Sequence, residues 1–200
     1  MALNQQLNMD EGLSVYYEDP LCFSQIERSV YSLLWEFNPH HSREIVFVCI
    51  GTDRATGDCL GPLVGTRLRS LNSSMNVYGT LKDPAHATNL VQVMELIRCS
   101  HRHPLIVAVD ACLGSSDRVG FINIKKGSLK PGTALKKTLP EIGDFYISGV
   151  VNVGGFLEHM VLQNTRLYLV YQMADTIARG LYMAYSRFEH ESRRQAAMPN

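Results

Sequence analysis

The sequence lacks an excess of charge of either sign, with 19 basic and 19 acidic residues among its 200. No overall field therefore favours nucleic acid or an anionic membrane surface. It also lacks an apolar run approaching the roughly 18 residues of a membrane span, and the amino terminus has neither a basic start nor an apolar stretch. We expect a cytoplasmic chain that begins near Met1 and binds neither nucleic acid nor membrane.

Several common motifs are missing as well. The five cysteines form no C-x-x-C pair, and an odd number suits a reducing compartment better than a secreted disulfide framework. A phosphate-binding loop is excluded because Gly51 and Gly57 are separated by five residues and followed by Asp58 rather than lysine. Neither a dinucleotide G-x-G-x-x-G fingerprint nor a G-x-S-x-G elbow is present. We expect no cofactor and no serine nucleophile.

The length and the 46% hydrophobic content suit one core. We predict a flexible segment over residues 1–20, a single α/β domain over 21–188 and a flexible tail over 189–200. Apolar runs predict buried strands at 45–50 and 105–109, an alternating run predicts an outer strand at 119–124, and a further strand is predicted at 166–172. Because helical patterns alternate with these runs, we expect a mostly parallel sheet with helices on both faces, a three-layer αβα sandwich.

Two aspartates stand where such a sheet places its chemistry. Ligands bind at the carboxyl ends of parallel strands. Asp110 directly follows the strand at 105–109, and Asp58 begins the helix after the strand at 45–50. Two carboxyl groups that share one proton activate a water and protonate a leaving group, which suits hydrolysis of a peptide bond. The same rule makes Gly51, Thr52, Asp53 and Gly149 candidates for substrate binding, and the backbone N–H groups of the first two and of Gly149 candidates for stabilising an oxyanion.

Spacing alone leaves simpler roles open. Asp58 precedes an apolar helical stripe and would serve as a helix N-cap. Asp110 would serve to hold a loop through backbone N–H groups. Among the histidines, His86 and His159 are the best placed to bind a metal, although surface or packing roles are more usual for such residues.

Two longer segments carry a family resemblance. The runs IVFVCIGTDRATGDCLGPLVGTRL (45–68) and LIVAVDACLGSSDRVGFINIKKG (105–127) closely resemble the YyaC family of sporulation proteins, known as spore proteases. That family is similar to the core of the germination protease of spore formers and, more distantly, to the hydrogenase-maturation endopeptidases. The resemblance covers about residues 44–175, and it implies a hydrogenase-maturation-protease-like fold of the phosphorylase/hydrolase type.

The resemblance also implies a function. The proposed catalytic carboxylates of the germination protease fall on Asp58 and Asp110 by motif match. The maturation endopeptidases place acidic metal ligands at these two positions and add a histidine, which no motif here matches, so we expect metal-independent hydrolysis. This chain is much shorter than the germination protease, and Gly57 replaces a proline of its motif.

The resemblance further implies a protein or peptide substrate. Small acid-soluble spore proteins are the first candidates, with the forespore or spore core as the compartment, and a homo-oligomer is compatible with the sequence. Two alternatives remain open. One is a non-catalytic binding module with a degenerate peptidase crevice, and the other is a metal-dependent maturation-type endopeptidase.

Overall fold

The structure is a computed structural model that describes residues 12–131 and 140–196. In chain order the elements are β1 (Leu13–Tyr16), α1 (Cys22–Phe37), β2 (Ile45–Cys49), α2 (Leu60–Leu71), β3 (Asn76–Tyr78), α3 (Leu90–Ser100), β4 (Leu105–Gly114), β5 (Phe121–Lys126), β6 (Phe145–Val153), α4 (Glu158–Gln163) and α5 (Leu167–Ala196). No helix within the described ranges is both long enough and apolar enough to cross a membrane.

The described strands form one mixed sheet in the order β1-β5-β6-β4-β2-β3. The four strands β3, β2, β4 and β6 run parallel, whereas β5 and β1 continue the sheet antiparallel. The predicted α/β architecture is confirmed, with an antiparallel margin added to its parallel centre.

Two apolar cores cover the faces of this sheet. Along β2, Phe47 and Cys49 point into the core shared with α1, α2 and α5, while Val46 and Val48 point into the core shared with α3. All four side chains are fully buried. A strand covered on both faces reads as a continuous apolar run, which is why the sequence revealed this strand clearly.

One predicted strand is wrong. Residues 166–172 lie in α5 apart from Arg166, which precedes it. The buried residues of this helix, Val170, Met173, Ala174 and Ile177, recur every three or four positions. That helical period continues past residue 172, so a longer window would have identified one helix rather than a strand followed by a helix.

The outer boundaries also differ from the prediction. Part of the segment expected to be flexible forms β1, which pairs with β5 from Leu13 opposite Ile124 to Tyr16 opposite Phe121. The strand predicted at 119–124 is therefore not outermost, because β1 covers its free edge. At the other end α5 continues to Ala196, through most of the tail expected to be flexible. Residues 1–11 and 197–200 lie outside the described residues.

Helix α2 packs against the end of β2 at a distance that leaves no room for a side chain. A Cβ atom added to Gly61 would lie 2.0 Å from the Ile50 carbonyl oxygen. Just before the helix, Gly51 adopts φ +138°, and a Cβ there would lie 1.9 Å from the Asp58 carbonyl oxygen. The chain therefore leaves β2 in a turn whose backbone conformation favours glycine, and α2 then packs directly against the end of the same strand.

We expect Gly61→Ala to lower the free energy of unfolding by about 1–3 kcal/mol, because the methyl group would collide with the Ile50 backbone. Urea denaturation followed by circular dichroism measures the change. Ser70→Ala, on the exposed face of the same helix, is the matched control and should stay within about 0.5 kcal/mol of the wild type. Equal stability of the two variants would contradict the close packing.

Candidate active site

A cavity of about 530 Å³ opens at the carboxyl ends of β2 and β4. Its walls come from the loop after β2, the end of β4, the segment before residue 132 and one face of α4. The lining residues are Ile50, Gly51, Thr52, Arg54, Ala55, Asp58, Ala87, Asp110, Ala111, Cys112, Leu113, Leu129, Lys130, Pro131, Glu158, His159, Leu162 and Gln163. Both predicted catalytic aspartates are among them.

Asp58 reaches the cavity through a short turn. The 3-10 turn Gly57–Cys59 leads directly into α2, and the Thr52 N–H donates to the Asp58 carbonyl oxygen across the loop at 3.1 Å. The simpler role as N-cap is not observed, because Cys59 precedes the first residue of α2 and no side chain caps the helix. The side chain of Asp58 is therefore available to the cavity.

Asp110 sits within β4, opposite Ser148 of β6, and its residue is only 8% exposed. One carboxyl oxygen accepts a hydrogen bond of 2.8 Å from the Ala111 N–H. This bond joins neighbouring residues and does not hold a distant loop. The simpler role, in which Asp110 holds a loop through backbone N–H groups, is therefore not observed in this contact.

The two carboxyl groups have different electrostatic surroundings. Burial raises the pKa of Asp110 well above its usual range, and the charge of Asp58 raises it further, against a lowering by the Ala111 N–H. The pKa of Asp58 is also raised, chiefly by burial. A backbone hydrogen bond from Thr52 and the charges of His86 and His159 offset part of this rise. Asp110 is thus the group that keeps a proton when the pair is singly ionised.

The four predicted substrate-binding residues divide into two pairs. Gly51 and Thr52 line the cavity, whereas Asp53 and Gly149 do not. A Cβ on Gly149 would lie 2.6 Å from a methyl carbon of Leu60, so the position faces the core. The cavity therefore gives no support to a substrate-binding role for Asp53 and Gly149, which stays a prediction.

The predicted oxyanion donors need a similar correction. The Gly51 N–H donates to the Ala85 carbonyl at 2.8 Å, and the Thr52 N–H donates to the Asp58 carbonyl. Gly149 lies inside β6, paired on both sides with β4 and β5. None of these three N–H groups points freely at the cavity, because a strand bridge and a tight turn already use the first two.

The rule about strand ends does not predict the wall formed by α4, and the sequence singled out only His159 of this wall, as a possible metal ligand. Glu158, His159, Leu162 and Gln163 all reach the cavity from this helix. The only signal in the sequence was the position of α4 directly after the glycines that end β6. Arg54 and Lys130 add positive charge to the lining, and neither was among the predicted site residues.

Two cysteines lie near the aspartates in the chain, of which Cys112 lines the cavity and Cys59 does not, and both are unsuited to nucleophilic attack. Burial raises the pKa of Cys59 and also that of Cys112. A thiol with a raised pKa stays protonated and unreactive near neutral pH.

A metal ion does not fit the donors present. Within residues 12–131 and 140–196, no three His, Cys, Asp or Glu side chains converge closely enough to hold one. His159 reaches the cavity and His86 lies near enough to influence Asp58, but they do not complete a ligand set with the aspartates.

Comparison with known proteins places the chain in a family. A family described as "Protein of unknown function (DUF1256)" matches residues 14–180. The chain belongs to the DUF1256 family. A relative of this family member, the "Uncharacterized protein YyaC" of Bacillus subtilis (strain 168), is 54% identical over 140 residues, which cover 70% of this chain and 68% of that protein. The predicted relationship to the YyaC family is confirmed, while the sporulation and protease roles stay predictions.

A solved structure supports the fold of this DUF1256 protein. The [NiFe] hydrogenase maturation protease HycI from Thermococcus kodakarensis KOD1 superposes with a TM-score of 0.51, covering 76% of this chain and 99% of that chain, at 19% sequence identity. The predicted hydrogenase-maturation-protease-like fold is confirmed. At this level of identity the likeness concerns the fold alone.

We expect Asp110→Asn to stabilise the protein at neutral pH by about 1 kcal/mol or more. The folded-state pKa of Asp110 lies above its unfolded value, so wild-type stability falls as pH rises from the unfolded pKa towards the folded one. The amide has no proton to lose and escapes this penalty.

Urea denaturation at several pH values measures the effect. The advantage of the variant should disappear near pH ~3, where the carboxyl group is neutral in both states. Asp83→Asn, at an exposed position, is the matched control and should show no such trend. A variant less stable than the wild type throughout would contradict a protonated Asp110.

Proposed function

We propose that the protein is an endopeptidase in which Asp58 and Asp110 act as a pair of carboxyl groups. The observation that supports this function best is the shared cavity, in which a deeply buried Asp110 lies under the electrostatic influence of a less buried Asp58. Pairs of titratable groups with differing surroundings are typical of general acid–base sites.

The difference in pKa assigns the roles within the pair. Asp58, as the carboxylate, accepts a proton from a water molecule, whose oxygen attacks the carbonyl carbon of the peptide bond. Asp110, as the acid, donates its proton to the carbonyl oxygen on which negative charge develops. The proton held by Asp58 then passes to the leaving amine as the carbon–nitrogen bond breaks. At the same time the hydroxyl group formed from the carbonyl oxygen returns its proton to Asp110, so that both carboxyl groups regain their starting states. Asp110 thus stabilises the developing oxyanion in place of the Gly51 and Thr52 N–H groups, which already donate to other backbone carbonyls.

The proposed setting is sporulation or germination. The support is the resemblance to the YyaC family and to the germination protease, together with the relative in Bacillus subtilis (strain 168). Small acid-soluble spore proteins are the proposed substrates, and the cytoplasm of the forespore or the spore core is the proposed location.

We expect the purified protein to cleave components of a spore-protein extract, and both Asp58→Asn and Asp110→Asn to reduce the cleavage rate by about a hundredfold or more, because each removes one half of the acid–base pair. Mass spectrometry of the products measures the rates. Asp53→Asn is the control, since this carboxyl group belongs to the same loop but does not line the cavity.

Three outcomes separate the alternatives. Equal cleavage by the wild type and both site variants would eliminate the aspartate pair. Cleavage abolished by a chelator and restored by a divalent metal would favour the metal-dependent enzyme. Stable retention of a spore protein without cleavage would favour the non-catalytic binding module.

We expect the pH dependence of kcat/KM to be bell-shaped. Activity should rise as Asp58 loses its proton and fall as Asp110 loses its own, and the raised pKa of Asp58 places the acidic limb above the usual range of an aspartate. Initial rates on one cleaved peptide, measured from about pH 3 to 10, give both limbs as properties of the coupled pair. A rate independent of pH over this range would contradict the assigned roles.

A further inference from the structure

Strand β4 continues past the strand beside it. The pairing of β2 with β4 ends at Cys49 opposite Val109, and the Ile50 N–H then donates to the Val109 carbonyl oxygen at 2.7 Å. There the chain turns away at Gly51, whereas β4 runs on to Gly114, paired with β6 alone. Within the part of the chain that the structure describes, no strand covers the other edge of β4 after Val109.

The alternation of a strand shows which backbone groups face this open edge. Successive residues direct their N–H and C=O groups to opposite sides. The carbonyl of Val109 faces β2, as its bond to Ile50 shows, and the carbonyl of Gly114 faces β6, since it accepts from the Gly154 N–H at 2.8 Å. Ala111 and Leu113 therefore present their backbone groups to the open side.

Most of these groups have no protein partner. The Ala111 N–H donates to its neighbour Asp110. No turn, loop or side chain among the described residues bonds to the Ala111 carbonyl or to either backbone group of Leu113. By the alternation above, the bonds of the β4–β6 ladder leave β4 on its other side, although the register with β6 shifts between Cys112 and Leu113. The three open groups stand in the order acceptor, donor, acceptor, which is the pattern that an extended polypeptide satisfies.

The open edge is also a wall of the candidate active site. Ala111, Cys112 and Leu113 line the cavity, and all three are half-buried rather than covered. Three residues of strand measure about 10 Å, and a neighbouring strand lies about 4.8 Å away. The cavity occupies the place where β2 would lie if it continued beyond Gly51.

We propose that this edge of β4 binds an extended polypeptide segment as an added strand along Ala111–Leu113. The Asp110 carboxyl oxygen that holds the Ala111 N–H lies on the same side, so a peptide bond aligned on this edge lies beside the aspartate pair. That the bound chain is then cleaved rests on the proposed function, whereas its binding is measured separately.

Backbone pairing determines the chemistry of the ligand. It requires an extended main chain with free amide groups, and it depends little on side chains. It also predicts a period of two, because only every second residue of the ligand turns its amide towards β4.

A peptide array tests the proposal. The probe is an array of synthetic decapeptides derived from spore proteins, incubated with the Asp58→Asn/Asp110→Asn double variant so that none is cleaved. For the tightest binder, each backbone amide is methylated in turn. We expect alternate methylations to weaken binding about tenfold or more and the intervening ones to have little effect.

A pair of variants tests the protein side. Leu113→Pro removes the N–H at the open edge without removing a donor of the β4–β6 ladder, and it should weaken binding about tenfold or more. Leu113→Ala shortens the side chain but keeps the N–H, and it is the matched control with a smaller loss. If the proline variant does not fold, the methylation series decides alone.

The inference is overturned if no decapeptide binds with millimolar or better affinity, or if methylation shows no alternation. Its failure is distinguishable from failure of the proposed function. Alternating binding without any cleavage by the wild type would contradict the peptidase and leave the added strand standing. Cleavage by the wild type, combined with binding that backbone methylation does not weaken, would contradict the added strand and leave the peptidase standing.

Discussion

The contact between the start of α2 and the end of β2 determines the rest of the site. Because Gly61 has no side chain, the helix lies directly on the Ile50 backbone, and the chain must leave the strand at Gly51 to reach it. This reversal brings Asp58 to the carboxyl end of the sheet, next to the strand that carries Asp110. It also clears the space beside β4. One close approach of backbone to backbone thus determines the position of Asp58 relative to Asp110 and leaves room for a ligand.

The parts of the fold that the sequence revealed are those where a local pattern has one physical meaning. The continuous apolar runs of β2 and β4 require burial on both faces, and the aspartates follow from the rule about strand ends. The start of α5 was predicted as a strand because residues 167–171 form a short continuous apolar run, which within a short window looks the same in a buried strand and in a helix. Strand β1 and the wall formed by α4 depend on contacts between distant segments, Leu13 with Ile124 and Leu162 with Gly57, which no short pattern encodes.

The aspartates themselves show how far sequence reasoning reaches. Their place in the chain indicated that they would meet, but not that they would differ. The difference arises from depth within the fold, since Asp110 is inside the central strand and Asp58 is in a turn near two histidines. Burial that disfavours charge is a cost to stability, and it is the same property that keeps a proton available for chemistry. Geometry alone left their role open, and the catalytic role proposed for them draws on the resemblance to proteases.

The unequal lengths of β2 and β4 have a consequence for solubility. An uncovered strand edge is normally a hazard, because the edge of another folded molecule pairs with it and aggregation begins. Here the open stretch is short and recessed, with α4 and the loop after β2 standing on either side. A stretch of only three residues offers a folded neighbour little edge on which to pair. The shortness of this stretch therefore limits aggregation through the one part of β4 that lacks a neighbouring strand among the described residues.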